Sequence, residues 1–256
     1  MEKFIKELAI RAGNIVGKKF GVAKITNHKS HSLDFVTEAD LLSNRYIVQQ
    51  IKNKFPDHGI ISEELGNYNV SKDFIWIIDP IDGTINFAKG IPLFVVLIAL
   101  AERGKIILSS IYDPVHKELF FAKKGKGSFL NNKKIKCSNY KFITQSTGML
   151  SDRINMQRIK ILSELSKLNK GENFLINILS SIGVSAAYVA SGRSDWAISV
   201  GGKIWDYAAP ALLAEEAGCK VTNCRGKSWG FNDRDIIIAN GNLHPILLEV
   251  ASSVFK

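Results

Sequence analysis

The segment Phe74-Ile75-Trp76-Ile77-Ile78-Asp79-Pro80-Ile81-Asp82-Gly83-Thr84 joins a continuous apolar run to two aspartates that flank a proline. The apolar run predicts a buried strand over residues 74–78 that ends at Asp79-Pro80. Pro80 restrains the backbone between the aspartates and Gly83 relaxes it afterwards, so both carboxylates can face one point with the Ile81 carbonyl between them. Magnesium prefers such oxygen ligands, although Asp-x-x-Asp-Gly by itself is more often an ordinary surface turn.

Other acidic residues stand at the ends of neighbouring predicted elements. Glu63 and Glu64 follow a predicted strand over 59–62, and Asp206 opens a predicted helix over 206–217. Asp40 is the last residue of Thr37-Glu38-Ala39-Asp40, a pattern that is typical of helix N-termini. The simplest interpretation of Asp40 is therefore a plain helix cap. Acids that end buried strands need a compensating partner, which favours a metal site here. The turn is the commoner structure for this motif, so the residue types alone support the two interpretations about equally.

The remaining pattern places strands early and alternates helices with strands later. Apolar spacing predicts an amphipathic helix over 4–20, a second helix from Asp40 to Phe55, and a meander of three strands. The predicted strands of the meander are 93–101, 105–112 and 118–122, and the later elements are 155–168 (helix), 174–179 (extended), 184–190 (helix), 195–200 (strand), 235–239 (strand) and 243–255 (helix). This order predicts an α+β protein of layered sheets and helices. We expect one unit over residues 1–256, with any subdivision near 140–153.

Composition excludes several classes of protein. The chain has 256 residues, of which 46% are apolar, enough for a large core. No apolar run approaches the ~20 residues that span a bilayer, and the N-terminus lacks a signal-peptide apolar region, so we expect a cytoplasmic protein without a membrane partner. The three cysteines, Cys137, Cys219 and Cys224, have no close spacing, which favours reduced thiols without a special role.

The net charge of +10 leaves nucleic-acid binding as an alternative that the pattern disfavours. The lysines are scattered, and the densest runs lie near predicted turns, at Lys123-Lys124-Gly125-Lys126 and Lys133-Lys134-Ile135-Lys136. This distribution indicates a solvated lysine-rich surface, since a specific binder usually clusters its charge on one face. The five histidines form no ligand-spaced cluster beyond the pair in one polar loop, and we expect all five at the surface or in loops.

Five segments together carry a family resemblance. Residues 76–87, followed by 90–94, closely resemble the first signature of the inositol monophosphatase family, and residues 205–210 running into 215–218 resemble its second. Residues 34–40, 61–64 and 188–195 match three further segments of that family, in order and spacing from about Lys29 to Gly241. The resemblance implies a layered αβαβα sandwich, shared with fructose-1,6-bisphosphatases.

The resemblance also implies roles for individual residues. The implied ligands of two or three Mg²⁺ ions are Glu63, Asp79, the Ile81 carbonyl, Asp82 and Asp206. Thr84, paired with Asp40, would orient the attacking water, and Glu64 would help to organise that site. The N–H groups of Gly83 and Thr84 would bind phosphate oxygens. Lys29 stands where the family has a lysine on a mobile loop beside the metals.

The implied activity is magnesium-dependent, lithium-sensitive hydrolysis of small phosphate monoesters without a covalent intermediate, by a homodimer. Inositol-1-phosphate is the leading substrate, contacted by Gly83, Thr84, Asp82, Ser199 and Asp206. Ser199 stands where many inositol-selective members have a glutamate, and residues 180–183 differ from the usual Gly-Ser-Ala-Ala. Fructose-1,6-bisphosphate, other sugar phosphates and histidinol phosphate therefore stay open as substrates. The rival from another class is a regulatory protein that binds nucleic acid or the transcription machinery without turnover.

Overall fold

The computed structural model describes residues 1–22, 25–28, 35–150, 156–168 and 174–255. The chain opens with helix α1 (Glu2–Lys19), a two-stranded antiparallel sheet and helix α2 (Glu38–Lys54). The strands of that small sheet are β1 (Ile25–His28) and β2 (Phe35–Thr37). Both helices begin with acidic residues and end with lysines, which suits the dipole of a helix.

The next part of the chain forms an eight-stranded sheet in the order β10-β9-β8-β7-β6-β5-β3-β4. Its strands are β3 (Gly59–Ser62), β4 (Gly66–Tyr68), β5 (Phe74–Asp82), β6 (Val95–Glu102), β7 (Lys105–Asp113), β8 (Glu118–Lys123), β9 (Gly127–Leu130) and β10 (Lys133–Ile135), with the short helix α3 (Thr84–Ala88) between β5 and β6. β3 runs parallel to β5, whereas β5 to β10 pair antiparallel as successive neighbours. The segment with the two aspartates therefore lies in the interior of the larger sheet.

The C-terminal part forms a five-stranded sheet in the order β12-β11-β13-β15-β14. Its elements are β11 (Thr147–Leu150), α4 (Met156–Ser166), β12 (Leu175–Asn177), α5 (Ile182–Ala190), β13 (Trp196–Val200), α6 (Ile204–Glu216), β14 (Lys220–Thr222), β15 (Asp235–Ala239) and α7 (His244–Val254). The chain passes from one sheet to the other between Ile135 and Thr147. The subdivision of the unit near residues 140–153 stays a prediction.

Side-chain alternation along β5 shows how the layers are built. Trp76 and Ile78 point into a core with α1 and α2, while Ile75 and Ile77 point into a second core with α5 and α6. Full burial of each such side chain contributes about 1.5–3 kcal/mol, so β5 stabilises both layers at once. Because both faces are covered, the strand is apolar without alternation, as a buried strand requires.

The second sheet is covered on both faces in the same way. The opposite faces of α5 and α6 pack on one face of β13, β14 and β15, with Tyr207 fully buried between them. The other face of this sheet packs on α4 and α7 around Trp196. The order of layers is helices, eight strands, helices, five strands, helices, so the predicted αβαβα sandwich of the α+β class is confirmed.

Most long elements lie where the sequence predicts them, and the differences are local. β5 does not stop at residue 78 but continues to Asp82. The sequence pattern did not predict the short strands β1, β2, β4, β9, β10, β11 and β14, because three or four residues give no measurable periodicity. The first residue of the helix predicted over 155–168 lies outside the described residues, and α4 spans Met156–Ser166.

The expectation that the histidines lie at the surface or in loops is wrong for His244. His244 is fully buried at the start of α7, and its Nε2 shares a hydrogen bond of 2.9 Å with Thr222 Oγ1. Burial lowers the pKa of His244 to about 4, so its ring is neutral at physiological pH. Across the described ranges, no helix is long and apolar enough to span a membrane.

Candidate functional site

The end of β5 bulges, and the bulge turns its two aspartates toward the same region. Asp79 lies opposite Leu97 of β6 and Asp82 lies opposite Val95, so three steps along β5 face two steps along β6. Pro80 sits in this bulge, where its missing N–H costs the ladder nothing. The segment is thus the irregular end of a buried strand, which rules out the ordinary surface turn.

Asp79 is a buried carboxylate with four other carboxylates near it. It is 2% exposed, and its Oδ1 accepts a hydrogen bond of 3.0 Å from the Ile81 amide. Burial raises the pKa of Asp79 well above its usual value, and the negative charges of four surrounding carboxylates raise it further. Those four carboxylates, in decreasing order of influence, belong to Glu63, Asp82, Asp206 and Asp40. The fold therefore brings five of the predicted acidic residues together.

Three elements besides β5 deliver acids to the surroundings of Asp79: the end of β3, the start of α2 with Asp40, and the start of α6. Glu63 directly follows β3, and its amide donates to the Ile78 carbonyl at 3.2 Å, which places it beside the end of β5. Asp206 lies in the first turn of α6, where its Oδ2 accepts from the Lys203 amide at 2.6 Å. Glu64 follows Glu63, and its charge contributes to the raised pKa of Asp40. Acids that are distant in sequence thus share one electrostatic environment.

Asp82 is fixed by the start of α5. Its Oδ2 accepts hydrogen bonds from Ser181 Oγ at 2.5 Å and from the Gly183 amide at 2.6 Å. Ser181 also caps α5, because its Oγ accepts from the Val184 amide at 3.1 Å. One oxygen of Asp82 is therefore held by protein donors, while its carboxylate stays within the electrostatic reach of Asp79.

Asp40 and Thr84 make contacts that differ from the predicted pairing. Asp40 Oδ2 accepts from the amide of Thr37 at 2.8 Å and from its hydroxyl at 2.5 Å, as the helix-opening pattern predicts. Burial raises the pKa of Asp40 to about 7, against the lowering effect of these bonds. The Thr84 hydroxyl donates its one hydrogen to the Ile81 carbonyl at 2.9 Å, so it does not donate to Asp40.

Gly83 forms a tight junction between β5 and α3. Its φ is +94°, in the left-handed region that favours glycine. A Cβ at this position would lie 2.8 Å from the Leu93 carbonyl oxygen and 3.2 Å from Ser181 Cβ. The junction is pinned further by Asn86, whose Nδ2 donates to the carbonyls of Leu93 and Leu179 at 2.7 Å each. No larger residue fits here without movement of the backbone.

Ser199 lies on β13 and is already engaged. It is 6% exposed, and its hydroxyl shares a hydrogen bond of 3.0 Å with Tyr207 Oη. Tyr207 Oη also accepts from the Gly202 amide at 3.0 Å, so the serine braces the segment that leads into Asp206. Contact between Ser199 and a substrate stays a prediction. Lys29 lies outside the described residues.

Sequence reasoning missed the residues that hold the acids in place. Ser181 and Gly183 are separated from Asp82 by about a hundred residues, and no pattern in the sequence near Asp82 pointed to them. The buried pair Ser62 Oγ and Asn44 Oδ1, 2.6 Å apart, ties α2 to the end of β3 and had no signal at all. Such contacts depend on tertiary structure, which a pattern of residue types does not encode.

The donor set fits a hard divalent cation. Carboxylate and carbonyl oxygens are the ligands that Mg²⁺ takes, and a cation would relieve the repulsion that raises the pKa of Asp79. Within the described ranges, no three His, Cys, Asp or Glu side chains form a group that could hold a metal ion as they stand. The acids therefore lie around Asp79 but, among the described residues, do not meet at one point.

Comparisons with known proteins agree with this architecture. The family model described as the inositol monophosphatase family matches residues 1–255. A curated relative from Thermotoga maritima, "Fructose-1,6-bisphosphatase/inositol-1-monophosphatase", is 32% identical over 253 residues, which cover 99% of this chain and 96% of the relative. A second, "Nus factor SuhB" from Vibrio cholerae, is 37% identical over 225 residues, which cover 85% of this chain and 83% of the relative.

A solved structure extends the likeness to three dimensions. An IMPase/NADP phosphatase, solved in complex with Mg²⁺ and phosphate, superposes with a TM-score of 0.85 at 27% identity. The superposition covers 97% of this chain and 93% of that chain. With the family model matched over nearly its whole length, the chain belongs to the inositol monophosphatase family.

Proposed function

We propose that this protein is a magnesium-dependent phosphatase of small phosphate monoesters, with inositol-1-phosphate as its leading substrate. The observation that carries the proposal is the set of four carboxylates near Asp79 whose negative charges raise the pKa of this buried residue. Buried like charges are costly without a compensating cation, so a purely structural role would not explain why the fold assembles them. The Mg²⁺ and phosphate bound by the related IMPase/NADP phosphatase support the same chemistry.

Each acidic residue has a role in this proposal. The residues that would hold two or three Mg²⁺ ions are Glu63, Asp79, Ile81 through its carbonyl, Asp82 and Asp206. The Ile81 carbonyl has two lone pairs, so it can ligate a cation while it accepts the hydroxyl of Thr84. When bound, magnesium neutralises the charge of the dianionic ester, activates water and stabilises the leaving alkoxide.

The residues of the chain itself position the reactants. The Thr84 hydroxyl donates its hydrogen to the Ile81 carbonyl. Its oxygen lone pairs are therefore available to accept a hydrogen bond from the attacking water. Asp40 and Glu64 add negative charge on the same side and favour removal of a proton from that water. The amides of Gly83 and Thr84 would bind phosphate oxygens. Positioning and electrostatics suffice for this reaction, so no covalent intermediate is required.

The substrate is the part that needs an experiment. Ser199 has a short, engaged hydroxyl, so we expect weaker selection for inositol than a glutamate would give. Phosphate release should be measured with inositol-1-phosphate, fructose-1,6-bisphosphate, histidinol phosphate and 3′-phosphoadenosine 5′-phosphate, each with Mg²⁺ and with a chelator. We expect turnover of inositol-1-phosphate only with Mg²⁺, and inhibition by lithium. Absence of phosphate release from every substrate in Mg²⁺ would refute the proposal.

A second role rests on the relatives named Nus factor SuhB and on the net charge of +10. In that role the chain would bind nucleic acid or the transcription machinery. A titration with labelled RNA tests it: binding that persists at physiological salt supports this role, whereas complete release of the RNA by modest salt contradicts it. Light scattering on the same sample tests the homodimer that the family resemblance implies.

A further inference from the structure

Two of the three cysteines meet where the chain leaves the larger sheet. Cys137 follows β10 by two residues, and Cys219 lies between the end of α6 and the start of β14. The amide of Cys137 donates to the carbonyl of Ala217 at 3.0 Å, which holds the two segments side by side. The two cysteines are thus far apart in sequence and adjacent in the fold.

The two cysteine side chains are neighbours. Both pack in the core beneath α6, and a side-chain hydrogen bond between the thiols is the largest contribution to the shifted pKa of each. The turn that presents Cys219 is tight, because Gly218 has a φ of +94° and the Cys219 amide donates to the Ala214 carbonyl at 3.0 Å. A Cβ built on Gly218 would lie 3.9 Å from Cys137 Sγ, so that sulfur lies against the turn.

The two thiols differ in reactivity. The hydrogen bond from Cys219 lowers the pKa of Cys137 to about 7, although partial burial opposes the shift. Cys137 is partly exposed, so a substantial fraction of it is a reachable thiolate at neutral pH. Cys219 is buried, and the same hydrogen bond together with burial raises its pKa. Cys137 therefore has the properties of an attacking thiol, and Cys219 those of a protected resolving thiol.

We propose that Cys137 and Cys219 form a peroxide-oxidisable pair that closes to a disulfide and clamps the C-terminal end of α6 to the segment after β10. In the first step the Cys137 thiolate attacks a peroxide oxygen, the O–O bond breaks, and a sulfenic acid and hydroxide form. In the second step Cys219 loses its proton to that hydroxide and attacks the Cys137 sulfur, which releases a second hydroxide. The S–S bond forms, and the second hydroxide takes up the proton that Cys137 released on ionisation. Overall, two thiols are oxidised to a disulfide and one peroxide is reduced to two waters.

Cys224 provides an internal control. It is fully buried, and burial beside Asp235 raises its pKa far above the usual value, so it stays a protonated thiol. Peroxide should therefore leave Cys224 as a free thiol in the folded protein.

The sequence makes the test direct, because trypsin separates the three cysteines. Cleavage after lysine and arginine places Cys137 in peptide 137–141, Cys219 in peptide 204–220 and Cys224 in peptide 221–225. The folded full chain is treated with hydrogen peroxide, free thiols are alkylated, and the digest is analysed by mass spectrometry without reductant. We expect peptide 137–141 linked to peptide 204–220, and alkylated Cys224.

Three variants and the melting temperature complete the test. Oxidation should raise the melting temperature of the wild type and of Cys224→Ser, and a reductant should reverse the rise. Cys137→Ser and Cys219→Ser should show no such rise. The proposal is overturned if Cys137 is found as a sulfinic acid, as a link between two chains, or as an unmodified thiol, whatever the phosphatase assays show.

Discussion

At the scale of the residue, Asp82 shows what the sequence could and could not predict. Its place in a segment with Asp79, Pro80 and Gly83 made it a candidate metal ligand, although the residue types alone supported an ordinary turn equally well. Its partners, Ser181 and the Gly183 amide, lie on α5 and had no signal near Asp82. Residues that position a functional group come from whichever element packs beside it, so only the tertiary structure identifies them.

The hydroxyl of Ser181 should matter for metal affinity as well as for stability. We expect Ser181→Ala to weaken Mg²⁺ binding by about 10- to 100-fold, since Asp82 loses one of the donors that orient it. Ser181→Thr keeps a hydroxyl and should restore most of the affinity. Calorimetric titration of Mg²⁺ measures the effect directly.

Ser185→Ala is the matched control for that variant. Ser185 lies on the same helix, and its hydroxyl donates to the Ser181 carbonyl at 2.8 Å and not to an acid. An equal loss of Mg²⁺ affinity in both alanine variants would contradict a positioning role for Ser181.

The raised pKa of Asp40 gives a pH dependence whose sign is fixed. The folded-state pKa is about 7 and the ordinary value is 3.8, so the native state binds the proton more tightly than the unfolded chain does. Its contribution to stability is present below pH 4 and is lost as the pH rises to 7, by about 4 kcal/mol in total. In a chelator, Asp40→Asn should remove this part of the pH dependence of the free energy of unfolding.

Urea denaturation at several pH values between 4 and 7 measures that difference. Added Mg²⁺ should reduce the loss near pH 7, because a cation favours the charged carboxylates. A wild type and Asp40→Asn whose stabilities vary in parallel with pH would contradict the raised pKa.

At the scale of the element, β5 explains where pattern reading stopped short. The apolar run predicted a strand to residue 78, and the proline suggested its end. In the structure the strand absorbs Pro80 in a bulge and continues to Asp82, because the loss of one N–H is tolerated where the ladder is already irregular. The bulge is also what turns Asp79 and Asp82 to the same side.

The junction between β5 and α3 should tolerate no side chain on Gly83. We expect Gly83→Ala to lower the free energy of unfolding by about 3 kcal/mol, from left-handed strain together with the close approach to the Leu93 carbonyl. Gly104→Ala is the matched control, since Gly104 has a φ of +75° but nothing within 4 Å of a Cβ. Its expected cost is about 1 kcal/mol. Equal losses in the two variants, measured by denaturant unfolding, would rule out a steric constraint at Gly83.

At the scale of the whole molecule, the layered architecture was predictable and the assembly of the site was not. The long apolar strands and amphipathic helices follow from the hydrophobic pattern, which predicts layered sheets and helices. The αβαβα order of the layers was implied by the family resemblance. The short strands β11 and β14 escaped prediction, although they complete the second sheet that carries α6 and thus Asp206. The acids meet because β3, β5 and α6 all present an end to the same region.

The most direct test of the central claim is the rate of phosphate release from inositol-1-phosphate by the wild type and by Asp82→Asn as Mg²⁺ is titrated. The matched control is Asp73→Asn, which removes an exposed carboxylate that pairs with Arg103 at 3.0 Å. We predict that Asp82→Asn lowers the rate by at least about 100-fold at saturating Mg²⁺, because the site loses a charged ligand. Asp73→Asn should stay within about twofold of the wild type, as surface pairs contribute little. Unchanged activity in Asp82→Asn, or equal activity of the wild type in a chelator, would contradict the account.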